Sequence, residues 1–402
     1  MPSNPMGEPS WRIGPKLAGL FLVLVATLCW SAPRTPLDVN EVLERLVVKA
    51  ADPSTALLRG YQKAVGNAPA DVRAVGDLAR LYFDLAGESG DPRYVGYAEA
   101  LINRYPAALP AELLFVRGLL RQYRHAFAEA QQDFAAVLAS KPDFLEAQGW
   151  RGAIFLVQAD YANAKLACDA LGAAGAPTLQ AGCLGLTLAY TGQLAPAYRE
   201  LERGLALAGN PSNRLWLLTR LAEVAAWQGR VALAEKHYRS ALSLGISDAY
   251  LLAAWSDFLL DQRRPLEVIR DLTGREASDP LLLRLALAHQ QTASSKAPVL
   301  EKMLEERFAA TRLRGDTTHR AEEARYTLML RRNVNSALVL AQANFEVQRE
   351  PRDARIVLEA ALAAGDPAAA KKVQSWLQSS GFHGAPLSQQ MQALEALPKG
   401  KP

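Results

Sequence analysis

The sequence predicts an all-α chain built from stacked antiparallel helix pairs. Two observations predict it. The composition is half hydrophobic but only 7% aromatic, with Ala and Leu plentiful, and strong helix formers in such excess leave few β-branched runs for strands. One helical pattern also returns at a nearly fixed interval. In "AFAEAQQDFAAVLASKP", residues 126–142, Ala130 recurs as Ala164, Ala197, Ala234 and, conservatively, Val268, in steps of 34, 33, 37 and 34 residues. Ahead of each marker stands a second helical stretch with a small residue: Gly118, Gly152, Gly185, Ala222 and Ser256. Two amphipathic helices per period form one unit, and it buries its apolar face by stacking on the next.

The elements follow in chain order. In residues 1–32, Arg12 and Lys16 precede an uncharged, mostly apolar run from Leu17 to Leu28 that extends to Ala32, with Pro33 behind it. A positive start, a short apolar core and small residues after it read as a secretory signal peptide. Cleavage after Ala32 would place Trp30 third from the cut and Pro33 just beyond it. An uncleaved N-terminal membrane anchor is therefore the second reading, although the run is shorter than the ~20 residues that span a bilayer comfortably. Leu28 before Cys29 excludes a lipoprotein box. Both readings export the body, as a periplasmic or secreted protein, anchored in the inner membrane by residues 17–32 in the second. A buried helix of a cytosolic array is the bland alternative.

Residues 37–68 carry Val39, Leu43, Leu46 and Val47 at helical spacing and are expected to cap the array. The repeat array itself is expected over 71–282 and looser helical repeats over 283–365. A C-terminal capping helix over 366–381 is marked by Asp366, Pro367 and Gly381, and a flexible tail is expected over 382–402.

With Ala111 as position 1, Leu114, Gly118, Ala130, Phe134, Val137 and Pro142 fall at positions 4, 8, 20, 24, 27 and 32; from Ala249, Leu252, Ser256, Val268, Leu272 and Pro280 match. In these residues the chain resembles the tetratricopeptide repeat family, in an exported bacterial form; Arg121 departs, standing where the family has a large apolar residue. The resemblance implies a right-handed superhelical solenoid with a concave groove lined by first-helix positions 2, 5, 9, 12 and 13. Those positions hold Glu112, Phe115, Gln122 and Tyr123 in one unit, Trp216, Glu223 and Trp227 in another, and Tyr250, Asp257 and Asp261 in a third. Aromatics among carboxylates fit a protein or extended peptide as partner, since rigid rings give contact area at low entropic cost. The other reading of Trp and Tyr at this spacing is inter-repeat core, which for Trp216 has equal weight. The family's clamp for a C-terminal carboxylate is missing, with Phe115 and Leu119 in two of its places.

A net charge of +4 without a clustered Lys and Arg face gives no footing for nucleic acid. The five His are scattered, and no metal, phosphate-cradling or nucleophile motif occurs. The expectation is no enzyme, no cofactor and no metal site. Cys168 and Cys183 are equidistant from the loop "GAAGAP" and so sit at one height on neighbouring helices. A disulfide and two buried thiols both fit that placement. The sequence therefore points to a non-enzymatic protein-binding scaffold of the cell envelope. The alternative, an accessory protein for solute or metal handling outside the cytoplasm, rests on His319 beside Glu322 and Glu323 and on the two Cys.

Overall fold

The computed structural model describes residues 53–105 and 109–397. The expected export segment, the first part of the amino-terminal cap and residues 398–402 lie outside them. The described residues form α-helices, one short 3-10 helix and no strand.

The first three helices are α1 (Pro53–Asn67), α2 (Val72–Ser89) and α3 (Arg93–Ile102). The regular pairs follow: α4 (Ala111–Tyr123) with α5 (Phe127–Ser140), α6 (Leu145–Val157) with α7 (Tyr161–Ala173), and α8 (Pro177–Tyr190) with α9 (Leu194–Leu207). Next come α10 (Pro211–Trp227) with α11 (Val231–Leu242), α12 (Ala249–Asp261) with α13 (Pro265–Leu272), and α14 (Asp279–Gln291) with α15 (Ala297–Leu313). The last are α16 (Arg320–Met329), α17 (Val334–Val347), α18 (Pro351–Ala364), a 3-10 turn (Pro367–Ala370), α19 (Lys371–Ser380) and α20 (Ala385–Glu395).

One turn geometry repeats inside the pairs. A left-handed residue stands at His125, Ala159, Gly192, Gly229, Arg263 and Ala293, with φ between 50° and 78°. The next N–H donates to a carbonyl five residues back, as Ala126 to Arg121, Asp160 to Phe155 and Arg230 to Ala225. This closure satisfies carbonyls that the helix end leaves open and reverses the chain. The seam of each pair is set by size. Phe134 is fully buried, and its ring fills the space above Gly118, where a Cβ would come within 2.6 Å of it. That contact is why the small first-helix residue and the large second-helix residue recur together.

The array curves back on itself. Helix α12 touches α2, and the Ser247 hydroxyl donates to the Glu88 carbonyl at 3.1 Å. The chain beyond α15 then folds back against the inner side. Asp366 accepts from the Ala368 and Ala369 N–H groups and Gly381 ends α19 at φ 72°. The chain does not stop there as a loose tail. Phe382 is buried, and α20 lays Leu387 and Leu394 against α18 and α10. This corrects the expected flexible tail over 382–397. Gln389, Gln390 and Gln392 give the stretch a polar look, while Leu387 and Leu394 of α20, spaced by seven, face one way.

Ala159 is one of the non-glycine residues held in the left-handed region. Ala159→Gly is expected to raise unfolding stability by about 1 kcal/mol, because L-residues pay ~1–2 kcal/mol there and Gly little, less its chain entropy. Urea denaturation of both proteins measures this, and a loss of stability would contradict it.

Candidate functional site on the concave face

The inner face is built mainly by first helices, with Tyr161 at the start of α7 added to them, and the returning C-terminal chain lies along it. At its leading end, the Arg349 N–H donates to the Val157 carbonyl at 2.7 Å, at the end of α6. One residue on, the Tyr190 hydroxyl of α8 donates to the Glu350 carboxylate at 2.8 Å. Glu350 and Asp353 cap α18 reciprocally, each side chain accepting from the other's backbone N–H. Burial opposes charge on Glu350, but Arg352, Arg220 and the Tyr190 bond outweigh it, and the carboxyl titrates below its usual range. Asp353 is fully buried next to that charge and titrates above its usual range.

Farther along, the Trp376 indole N–H donates to the Tyr161 hydroxyl at 2.8 Å, and burial pushes the Tyr161 phenol up to about 12. Phe382 packs edge-on to Trp227 at 5.5 Å and stacks on Trp376 at 5.7 Å. Tyr190 meets Trp227 at 5.9 Å. The strip thus consists of three aromatic residues on the array, Tyr161, Tyr190 and Trp227, facing one acidic and two aromatic residues of the returning chain.

A charged network continues beside it. Arg220 lies 4.3 Å over the Tyr250 ring and donates to Glu223 at 2.8 Å, while the Tyr250 hydroxyl donates to Glu223 at 2.6 Å. Asp257 accepts from Arg284 at 2.7 Å and from Arg325 at 2.5 Å; burial opposes its charge, and the two guanidinium groups still hold its carboxyl below the usual range. Arg355 grips Asp261 with two bonds of 2.7 Å. Arg352 is exposed here, so water reaches the inner face beside the docked chain.

The sequence-derived groove residues are distributed as follows. Tyr123, Glu223, Trp227, Tyr250, Asp257 and Asp261 face the interior, and several of them are already engaged by this chain's own C-terminal residues. Tyr123 is half-buried with its ring 6.3 Å from that of His319. Glu112 is exposed and paired with Lys141, and Gln122 is half-buried. Phe115 is not a groove residue. It is buried at 3% exposure between Phe134 and Phe144, because adjacent repeats close over that position. Trp216 inserts against Gly182, where a Cβ would lie 2.2 Å from the ring, and so packs between repeats. Tyr161, Tyr190, Arg220, Glu350, Arg352 and Trp376 were missed. Tyr190 was within reach, since it stands at position 13 of the unit from Thr178, as Tyr123 and Trp227 do in theirs.

Cys168 of α7 and Cys183 of α8 are joined by a disulfide, with Cα atoms 5.4 Å apart. His319, Glu322 and Glu323 diverge: Glu323 pairs with Arg312, and Glu322 lies 4.0 Å from Arg284. Among the described residues no group of three His, Cys, Asp or Glu side chains is placed to hold a metal ion, and no helix is long and apolar enough to cross a membrane.

Helix pairs at this period, closed by one turn and seated on one another through a small-on-large seam, decide the fold. The described chain is an all-α array of stacked helix pairs. No protein-family model and no curated protein sequence matches it. Among solved structures, this repeat chain is similar to a tetratricopeptide repeat protein from Parabacteroides merdae ATCC 43184, at 13% identity over 63% of this chain and 91% of that one, with a TM-score of 0.41. It is also similar to yeast Tom70, at 12% identity over 85% and 84% of the two chains, with a TM-score of 0.42.

Two substitutions test the electrostatics of this repeat's inner face. Asp257→Ala leaves Arg284 and Arg325 without their shared carboxylate and is expected to cost on the order of 3 kcal/mol. A loss under about 1 kcal/mol in urea denaturation would mean that solvent already screens the group. The His125 imidazole is held down at about 4 by burial, then by Arg352, against 6.5 when free. The unfolded chain therefore takes up that proton first as pH falls from 6.5 to 4, so stability declines across this window. His125→Asn, which tolerates the left-handed backbone, is expected to lower the proton uptake linked to unfolding there by up to one. An unchanged slope of stability against pH would contradict this.

Proposed function

We propose that the protein is a non-enzymatic binding scaffold whose concave face takes a protein or peptide segment, with its own C-terminal chain as the resident occupant. One observation carries this reading: residues 349–382 lie on the strip of Tyr161, Tyr190 and Trp227, presenting Glu350, Trp376 and Phe382 to it. The face therefore accepts an acidic residue followed by aromatic ones, and a partner segment of that chemistry would compete for the same contacts.

The proposed place of action is the cell envelope. Support comes from the charge and apolar pattern of residues 12–32 and from the Cys168–Cys183 disulfide, since such bonds persist in oxidising compartments. The ion pairs of the inner face, with Glu223, Asp257, Asp261 and Glu350 each already met by a guanidinium, favour a protein ligand over a free solute or metal.

Cross-linking capture from the native cell envelope tests the reading. Trp376→Ala with Phe382→Ala weakens the resident segment and is expected to raise capture of a partner several-fold over the unchanged protein. Adding Trp227→Ala is expected to abolish that gain, with helicity unchanged by circular dichroism. Capture insensitive to both changes would move binding off the concave face.

A further inference from the structure

The two tyrosines that hold the C-terminal chain stand in a fixed relation to the disulfide. Tyr161 is seven residues before Cys168 on α7, and Tyr190 is seven residues after Cys183 on α8. Seven residues are close to two helical turns, so each Tyr lies on almost the same helix face as its Cys, about 10 Å along the axis. The helices are antiparallel neighbours, and both hydroxyls therefore emerge at one end of the seam that the disulfide closes. The turn at that end joins in. Gly192 follows α8 at φ 78°, and a Cβ there would come within 2.1 Å of the Gly381 carbonyl, so only Gly lets the end of α19 approach.

We propose that the Cys168–Cys183 disulfide is a redox latch for the concave face: while intact it sets the spacing and rotation of α7 and α8 at which Tyr161 and Tyr190 grip the C-terminal chain, and its reduction releases that chain. The proposal rests on the reading of this face as the partner-binding surface. The reductant is a dithiol. Its thiolate attacks the Cys183 Sγ, since Cys183 is partly accessible and Cys168 fully buried. The sulfur–sulfur bond breaks, and Cys168 leaves as a thiolate and takes a proton. The second thiol of the reductant then displaces Cys183, which also takes a proton, and the reductant departs as a cyclic disulfide. Two electrons and two protons end on the pair of cysteines.

Without the cross-link, α7 and α8 keep their apolar seam but lose the constraint on sliding and rotation. A hydroxyl bond tolerates little of either, because misalignment weakens it steeply. Losing the Tyr190 bond leaves Glu350 buried with one partner fewer, and losing the Tyr161 bond strands the Trp376 N–H. Both effects fall on the returning chain and not on the array.

Amide hydrogen exchange of the full-length protein, oxidised and after treatment with a dithiol, tests this. Reduction is expected to speed exchange in α18, α19 and α20 at least tenfold and to leave α14 and α15 unchanged. A Cys168→Ala, Cys183→Ala variant is expected to behave like the reduced protein. Tyr161→Phe with Tyr190→Phe is expected to loosen the same helices with the disulfide intact. Identical exchange in the two redox states, an equal rise in every helix, or full protection in the tyrosine variant would each overturn the latch. The readout needs no partner. Redox-dependent exchange without any captured partner upholds the latch and removes the partner reading, whereas capture without redox-dependent exchange does the reverse.

Discussion

The hydrogen bond from the Tyr190 hydroxyl to the Glu350 carboxylate joins residues 160 positions apart in a buried setting. A carboxylate taken out of water must be met by donors, and a failure costs more than the bond itself is worth. Glu350 meets this with Tyr190, Arg352 and the cap of α18. Those donors come from the inner wall and from the returning chain, so neither is complete alone. The placement of Asp353, of the Arg220, Glu223 and Tyr250 group, and of the aromatic strip follows from seating that one charge.

The array supplies the rigid side of this arrangement. Its stiffness has a simple origin in the size match at each seam, typified by Phe134 over Gly118, and in a turn that recurs with one geometry. Interiors packed this closely change by steps and not by degrees. A constraint applied at a single seam, such as the cross-link of α7 to α8, is accordingly transmitted to its end with little loss.

The repeats were legible because they are local. Small and large residues at fixed offsets decide a helix pair within some thirty positions, and Ala130, Phe134 and Gly118 state it directly. The caps at Asp366 and Gly381 were legible for the same reason. The occupant of the inner face was not, since the contacts of Trp376 with Tyr161 and of Arg355 with Asp261 span 215 and 94 positions and leave no periodic trace. Phe115 misled because the position that lines a groove in one repeat is covered when the coil tightens. The stretch after Gly381 misled because its glutamines mask two well-placed leucines.

That long span of contacts also sets an order of events. Each helix pair can form on its neighbour as soon as both have been made, which is the low-cost, short-loop route to structure. The segment that fills the inner face follows the array in the chain and finds Tyr190 and Tyr161 only when the array is already standing. During synthesis, and in any passage that delivers the chain from its amino end, the inner face is therefore unoccupied for a time. A young chain presents the inner face that a mature one covers, so age distinguishes open molecules from closed ones.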